Sequence, residues 1–136
     1  VDGYNVIFAW DELKKIAAEN LDAARRRLMD ILCNYAGYRK CVPILVFDAY
    51  RVKGAGREQE TWHNLHVIYT REAETADMFI ERTTHELAKN HRVRVVSSDG
   101  AEQIIILGNG ALRVSARAFE REVRAVEAEI REFLDQ

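Results

Sequence analysis

Apolar positions along the chain follow two rhythms. From Leu21 they recur at three- and four-residue spacing, as Leu21, Ala24, Leu28, Ile31 and Tyr35. That spacing gives a helix one face to bury and leaves Arg25, Arg26, Arg27 and Asp30 largely outside it. Asn20 supplies an N-cap, and the helix is expected to stop near Gly37. A second helix is predicted over residues 75–90, capped by Thr75, with Ala76, Phe79, Ile80, Thr83 and Leu87 inward. A last one is capped by Ser115 and buries Phe119, Val123, Val126, Ile130 and Phe133, with Glu120/Arg124 and Glu127/Arg131 spaced i,i+4 outside. Between the helices lie a short unbroken apolar run at residues 41–47 and two further strand-like segments at 65–69 and 93–96. The unbroken run is too short for a helix and suits a strand buried on both faces of a parallel sheet. Pro43 stands near the start of the first, where a missing N–H is tolerated.

The remaining stretches carry weaker patterns. Val1-Asp2-Gly3-Tyr4-Asn5 reads as the end of a further strand whose start lies upstream, since the sequence opens on Val1 and not Met. Residues 6–10 continue its turn, and residues 11–16 form a short amphipathic helical piece. Residues 51–64 have no periodicity, hold two glycines and three basic residues, and read as a long mobile loop. Residues 101–107 form a short helix or a further apolar segment, broken by Asn109-Gly110. Strands alternating with helices specify an α/β domain with a mostly parallel sheet and right-handed crossovers. A chain of 136 residues with 48% apolar content fits a single domain, residues 1–136, with one sizeable core.

In such sheets ligands bind at the carboxyl ends of the strands. Asp2, Asp48, Asp77 and Asp99 each stand at or just beyond such an end and are expected to converge. Four neighbouring carboxylates repel one another unless a cation lies between them, and a set of hard oxygens favours Mg²⁺ or Mn²⁺ over zinc. Asn5 adds a neutral oxygen ligand or a donor. Asp77 falls in the first turn of a helix, where a carboxylate is stabilised, with Glu74 and Glu81 on its face. Aspartate is also favoured in plain turns and helix starts, so the convergence, and not any one residue, carries the inference.

Composition narrows the alternatives. The net charge is −2, so nucleic-acid binding requires a local basic patch. Arg51, Lys53, Arg57 and Trp62 form a candidate that grips single-stranded nucleic acid through phosphates and stacking, although Glu58 and Glu60 dilute its charge and an ordinary solvated loop explains it equally well. With no apolar run of 18 residues and no signal-peptide architecture, a soluble cytoplasmic protein without a membrane partner is expected. Cys33 and Cys41 lack zinc-site spacing and read as free thiols, and the four histidines share no obvious face. Gly54-Ala55-Gly56 opens like a dinucleotide fingerprint but has Gln59 at the third glycine, and there is no Walker A, so no nucleotide cofactor is expected. No Gly-x-Ser-x-Gly elbow is present, and Tyr4 stands where an aspartyl-phosphate phosphatase needs its second Asp.

Taken together, Val1-Asp2-Gly3-Tyr4-Asn5, Val46-Phe47-Asp48-Ala49-Tyr50, Glu74-Thr75-Ala76-Asp77 with Ile80-Glu81, and Ser97-Ser98-Asp99 with Gln103 resemble the NYN domain in its YacP-like branch, a relative of the PIN and FLAP nucleases. The resemblance spans nearly the whole chain. It implies a PIN-like three-layer α/β/α fold with a central, mostly parallel sheet of four or five strands. It also implies an acidic site for Mg²⁺ or Mn²⁺ and endoribonuclease activity, with mRNA as substrate and the ribosome as partner. Asp2, Asn5, Asp77 and Asp99 match the family's catalytic positions. Asp2, Asp77 and Asp99 are the expected metal ligands, with Asp48 either a further ligand or an orienter of metal-bound water. An alternative of another class is a PIN-like RNA- or ribosome-binding module whose acids are relics. A third is a phosphoacceptor domain using Asp48, which lacks the lysine that chemistry needs after a later strand.

Overall fold

The computed structural model describes residues 1–48, 59–71, 73–97 and 110–136. In chain order these form helices α1 (Gly3–Ala9), α2 (Asp11–Glu19) and α3 (Leu21–Arg39), and strands β1 (Ile44–Phe47), β2 (Gln59–Trp62) and β3 (Leu65–Tyr69). Helix α4 (Ala76–Leu87), strands β4 (Arg94–Val96) and β5 (Leu112–Val114), and helix α5 (Ala116–Leu134) follow.

The described strands form two sheets, not one ladder of four or five. β1 and β3 run parallel with Phe47 opposite Tyr69, and β2 pairs antiparallel with β3 on its other side. β4 and β5 make a separate parallel pair. The backbone of residues 1 and 2 joins the two. Asp2 forms a lone parallel bridge with Val46, the Val46 N–H donates to the Val1 carbonyl at 2.9 Å, and the Asp2 N–H donates to the Val96 carbonyl at 3.0 Å. The opening residues therefore act as a strand too short for a ladder of its own, wedged between β1 and β4.

Alternation along β1 sends its side chains to two cores. Leu45 and Phe47 join a large cluster built with Ile7, Trp10, Leu13, Leu28, Leu32 and Phe119, so α1, α2, α3 and α5 cover that face. Val46 joins Ala76, Ile80, Val95 and Ala111 on the other, so α4 covers it. This mixed α/β arrangement accounts for β1 reading as an unbroken apolar run.

Several local expectations are corrected. Residues 3–9 are helical, because α1 buries Gly3, Tyr4, Val6 and Ile7 over most of its circumference and so shows no amphipathic period. The buried, extended Trp10 separates α1 from α2. Helix α3 runs through Gly37 to Arg39 and ends on the left-handed Lys40, and its Arg25 is buried instead of solvated. In α4, Thr84 is buried and Thr83 only half-buried. In α5, Phe133 is exposed, and Arg124 pairs with Glu127 and with Glu12 of α2. Part of the expected 51–64 loop is β2, which turns into β3 through His63 at φ 56°. β5 was not anticipated. The expected segment at 101–107 and the basic loop at 51–58 lie outside the described residues.

Candidate acidic site

The acidic residues are held by the carboxyl-end edge of β1. Asp2 is 4% exposed, and its carboxylate accepts a hydrogen bond from the Asn5 side-chain amide one turn along α1. Burial is the largest influence on this carboxyl. The Asn5 bond opposes it, the nearby Asp77 charge adds to it, and the pKa is pushed from 3.8 up to about 6. Asp2 and Asp77 thus form a mutually repelling pair in a partly dehydrated place. Gly3 lets the helix sit there, since a Cβ built on it would lie 2.3 Å from Phe47 Cε1.

Asp77 is the second residue of α4. The Thr75 hydroxyl caps that helix by accepting from the Met78 N–H at 3.2 Å, as expected. A second cap comes from elsewhere, because Asp48 Oδ1 accepts from the Ala76 N–H at 2.7 Å. Asp48, immediately after β1, therefore ties the end of the sheet to the residue before Asp77. Glu74 is bonded to Arg82 at 2.8 Å, and Glu81 is exposed.

Asp99, Arg51, Lys53 and Arg57 lie outside the described residues. Among the described residues no group of three or more His, Cys, Asp or Glu side chains is spaced to hold a metal ion. Trp62 pairs with Leu65 at the start of β3, whereas the Asp48 end of β1 lies beside Tyr69 at its finish. Trp62, 38% exposed, is thus at the opposite end of the sheet from the acidic pair.

Sequence reasoning missed the residues behind Asp2. Arg25 Nη1 donates to the Tyr4 hydroxyl at 3.2 Å, and the Tyr4 ring packs on Phe47 with centroids 5.0 Å apart. Phe47 in turn stacks on Tyr69 at 6.0 Å and 22°. The available signal was Arg25 standing one position from the apolar stripe of α3, next to Ala24.

The YacP-like NYN domain profile matches residues 1–136. The chain is 44% identical over 131 residues to YacP of Bacillus subtilis (strain 168), covering 96% of this chain and 76% of that protein. It superposes on a crystal structure of Rae1 (YacP) from Bacillus subtilis with a TM-score of 0.84 at 41% identity, covering 98% of this chain and 77% of that one. A crystal structure of a mutant of the same protein gives 0.83 at 39% identity, covering 96% and 77%. The chain belongs to the YacP-like NYN domain family, a branch of the PIN-like nucleases.

Proposed function

We propose that the chain is an endoribonuclease that hydrolyses RNA phosphodiester bonds with Mg²⁺ or Mn²⁺, acting on mRNA in association with the ribosome. The observation that carries this reading is the nearness of Asp77 to the buried Asp2, whose burial above all, with the Asp77 charge adding to it, raises the Asp2 pKa to about 6. A pair of this kind suits a divalent cation: hard oxygens, excess negative charge and partial dehydration all favour cation binding. Asp2 and Asp77 would hold the ion, with Asp99 completing the set, and the ion would supply an acidified water and neutralise charge on the phosphate.

The protein's own residues prepare the site. Asn5 fixes the orientation of the Asp2 carboxylate through its Nδ2. Asp48 is a positioning group for Asp77, since its carboxylate is engaged by the Ala76 N–H. No helix among the described residues is long and apolar enough to cross a membrane. Arg51, Lys53 and Arg57 are proposed to grip the RNA backbone, on the basis of their charge alone.

The test is cleavage of an end-labelled single-stranded RNA. Cutting is expected with Mn²⁺ or Mg²⁺, and loss of cutting with EDTA or in Asp77→Asn. Cleavage that survives both treatments overturns the reading. RNA or ribosome binding without any cleavage favours the binding-module alternative.

A further inference from the structure

We propose that Arg25 is a positioning residue for the acidic pair, acting through the Tyr4 hydroxyl on the first turn of α1. The proposal deepens the nuclease reading and rests on it for its kinetic arm.

Arg25 is out of place as a surface residue. Its side chain is 10% exposed, and its one ion-pair partner among the described residues, Asp22 at 3.1 Å, is 59% exposed. Burying a guanidinium beside a solvated carboxylate is costlier than burying an apolar side chain of the same volume, so packing alone does not explain its presence. Asp22 holds Nη2 from the same helix, and this leaves Nη1 directed at Tyr4, 21 positions away in α1. A charge-assisted bond in a buried setting fixes geometry more firmly than a neutral one.

Tyr4 is the large side chain of the turn that carries the site. It lies between Gly3, which has no side chain and is pressed against Phe47, and Asn5, which holds Asp2. The Tyr4, Phe47 and Tyr69 rings pack in sequence, so the hydroxyl cannot move without the stack. Tyr69 is anchored in turn by donating to Glu60 at 2.9 Å. Arg25 is near enough for its charge to favour ionisation of the Tyr69 hydroxyl, although burial outweighs it and the pKa is raised. The guanidinium is therefore the polar centre of an otherwise aromatic wedge, and that wedge sets the rotation of α1 and with it the direction of Asp2 and Asn5.

The experiment compares wild type with Tyr4→Phe, Arg25→Met, Arg25→Lys and the Tyr4→Phe/Arg25→Met double variant. The readouts are RNA cleavage kinetics with Mn²⁺ and the side-chain amide resonances of Asn5 in a ¹H–¹⁵N spectrum. Expected are a kcat lower by about tenfold in each apolar single variant with KM changed by less than about twofold, a double variant no slower than Arg25→Met, and partial rescue in Arg25→Lys. The Asn5 resonances shift in both single variants. Unchanged kcat in folded Tyr4→Phe, additive losses, or unmoved Asn5 resonances overturn the proposal. Should Arg25→Met fail to fold, Tyr4→Phe, which lacks a single oxygen, decides. If wild type cuts no RNA, the nuclease reading fails, and the Asn5 resonances still decide the positioning.

Discussion

The Asp2 carboxyl makes stability depend on pH in a direction opposite to that of a salt-bridged acid. Its folded pKa of about 6 lies above the ordinary 3.8. Below about pH 4 it is protonated in both folded and unfolded chains, and no penalty exists. Between about pH 4 and 6 the unfolded chain ionises first, so stability falls as pH rises, by about 3 kcal/mol in all, and stays at the lower level above pH 6. Asp2→Asn removes the ionisation. It is expected to be more stable than wild type at pH 7 by up to about 3 kcal/mol and to show a flatter stability curve from pH 4 to 7 in urea denaturation. Equal stability of the two proteins at pH 7 would show that the carboxylate is not penalised. The same reasoning predicts that Mn²⁺ or Mg²⁺ raises the melting temperature of wild type above pH 6, because a ligand of the folded state alone stabilises it by mass action. The rise is expected to be lost in Asp2→Asn and to shrink at pH 5, and a thermal shift independent of Asp2 would place the cation elsewhere.

At the scale of single elements, the start of α4 matters most, because it carries Asp77. It is capped twice, by Thr75 from within and by Asp48 from the end of β1. Asp48→Ala is expected to cost about 1–2 kcal/mol by leaving the Ala76 N–H without its acceptor, whereas Asp48→Asn keeps an acceptor oxygen and recovers most of that loss. If Asp48→Asn loses RNA cleavage as completely as Asp77→Asn while remaining folded, Asp48 is a ligand and not a cap. Gly3→Ala tests the packing of α1 against β1. The added Cβ meets a Phe47 ring with no room to yield, since Phe47 is fully buried, so a loss of about 1–3 kcal/mol by denaturation is expected. Elements with a local cause were legible in advance. α3, α4 and α5 announce themselves by period and by the caps Asn20, Thr75 and Ser115, and all three caps accept the backbone N–H three residues on. α1 is buried on most sides and shows no period, while β2 and β5 are short and partly exposed and show little apolar pattern. The cap supplied by Asp48 joins positions 28 apart, which no local pattern reveals.

Across the whole molecule, what escaped the sequence is the set of long-range ties. The convergence of Asp2 with Asp77 followed from the rule for strand ends, but the wedge of Arg25 and Tyr4 behind Asp2 depends on how α3 crosses α1. Trp10 makes one of the longest such ties. It is fully buried at the break between α1 and α2, and its Nε1 donates to the Ala116 carbonyl at 2.8 Å, 106 residues away in the first turn of α5. Phe119 lies 6.0 Å from its ring, and the Arg124 guanidinium sits 5.7 Å above it. Beside the Arg124–Glu12 ion pair, the opening helices and the closing one are thus joined by a side chain that is packed, hydrogen-bonded and covered by a cation. Trp10→Phe keeps an aromatic ring but shrinks it and removes the indole N–H that the Ala116 carbonyl accepts, so a loss of about 2–4 kcal/mol is expected. Because α5 packs into the same core as β1 and α3, the loss is expected to lower the urea midpoint of the whole chain in one cooperative transition. Hydrogen exchange distinguishes the outcomes. A uniform fall in protection across α1, α3, β1 and α5 fits one cooperative core, whereas fraying confined to α5 would mean that the last helix is an appendage and that the acidic edge stands without it.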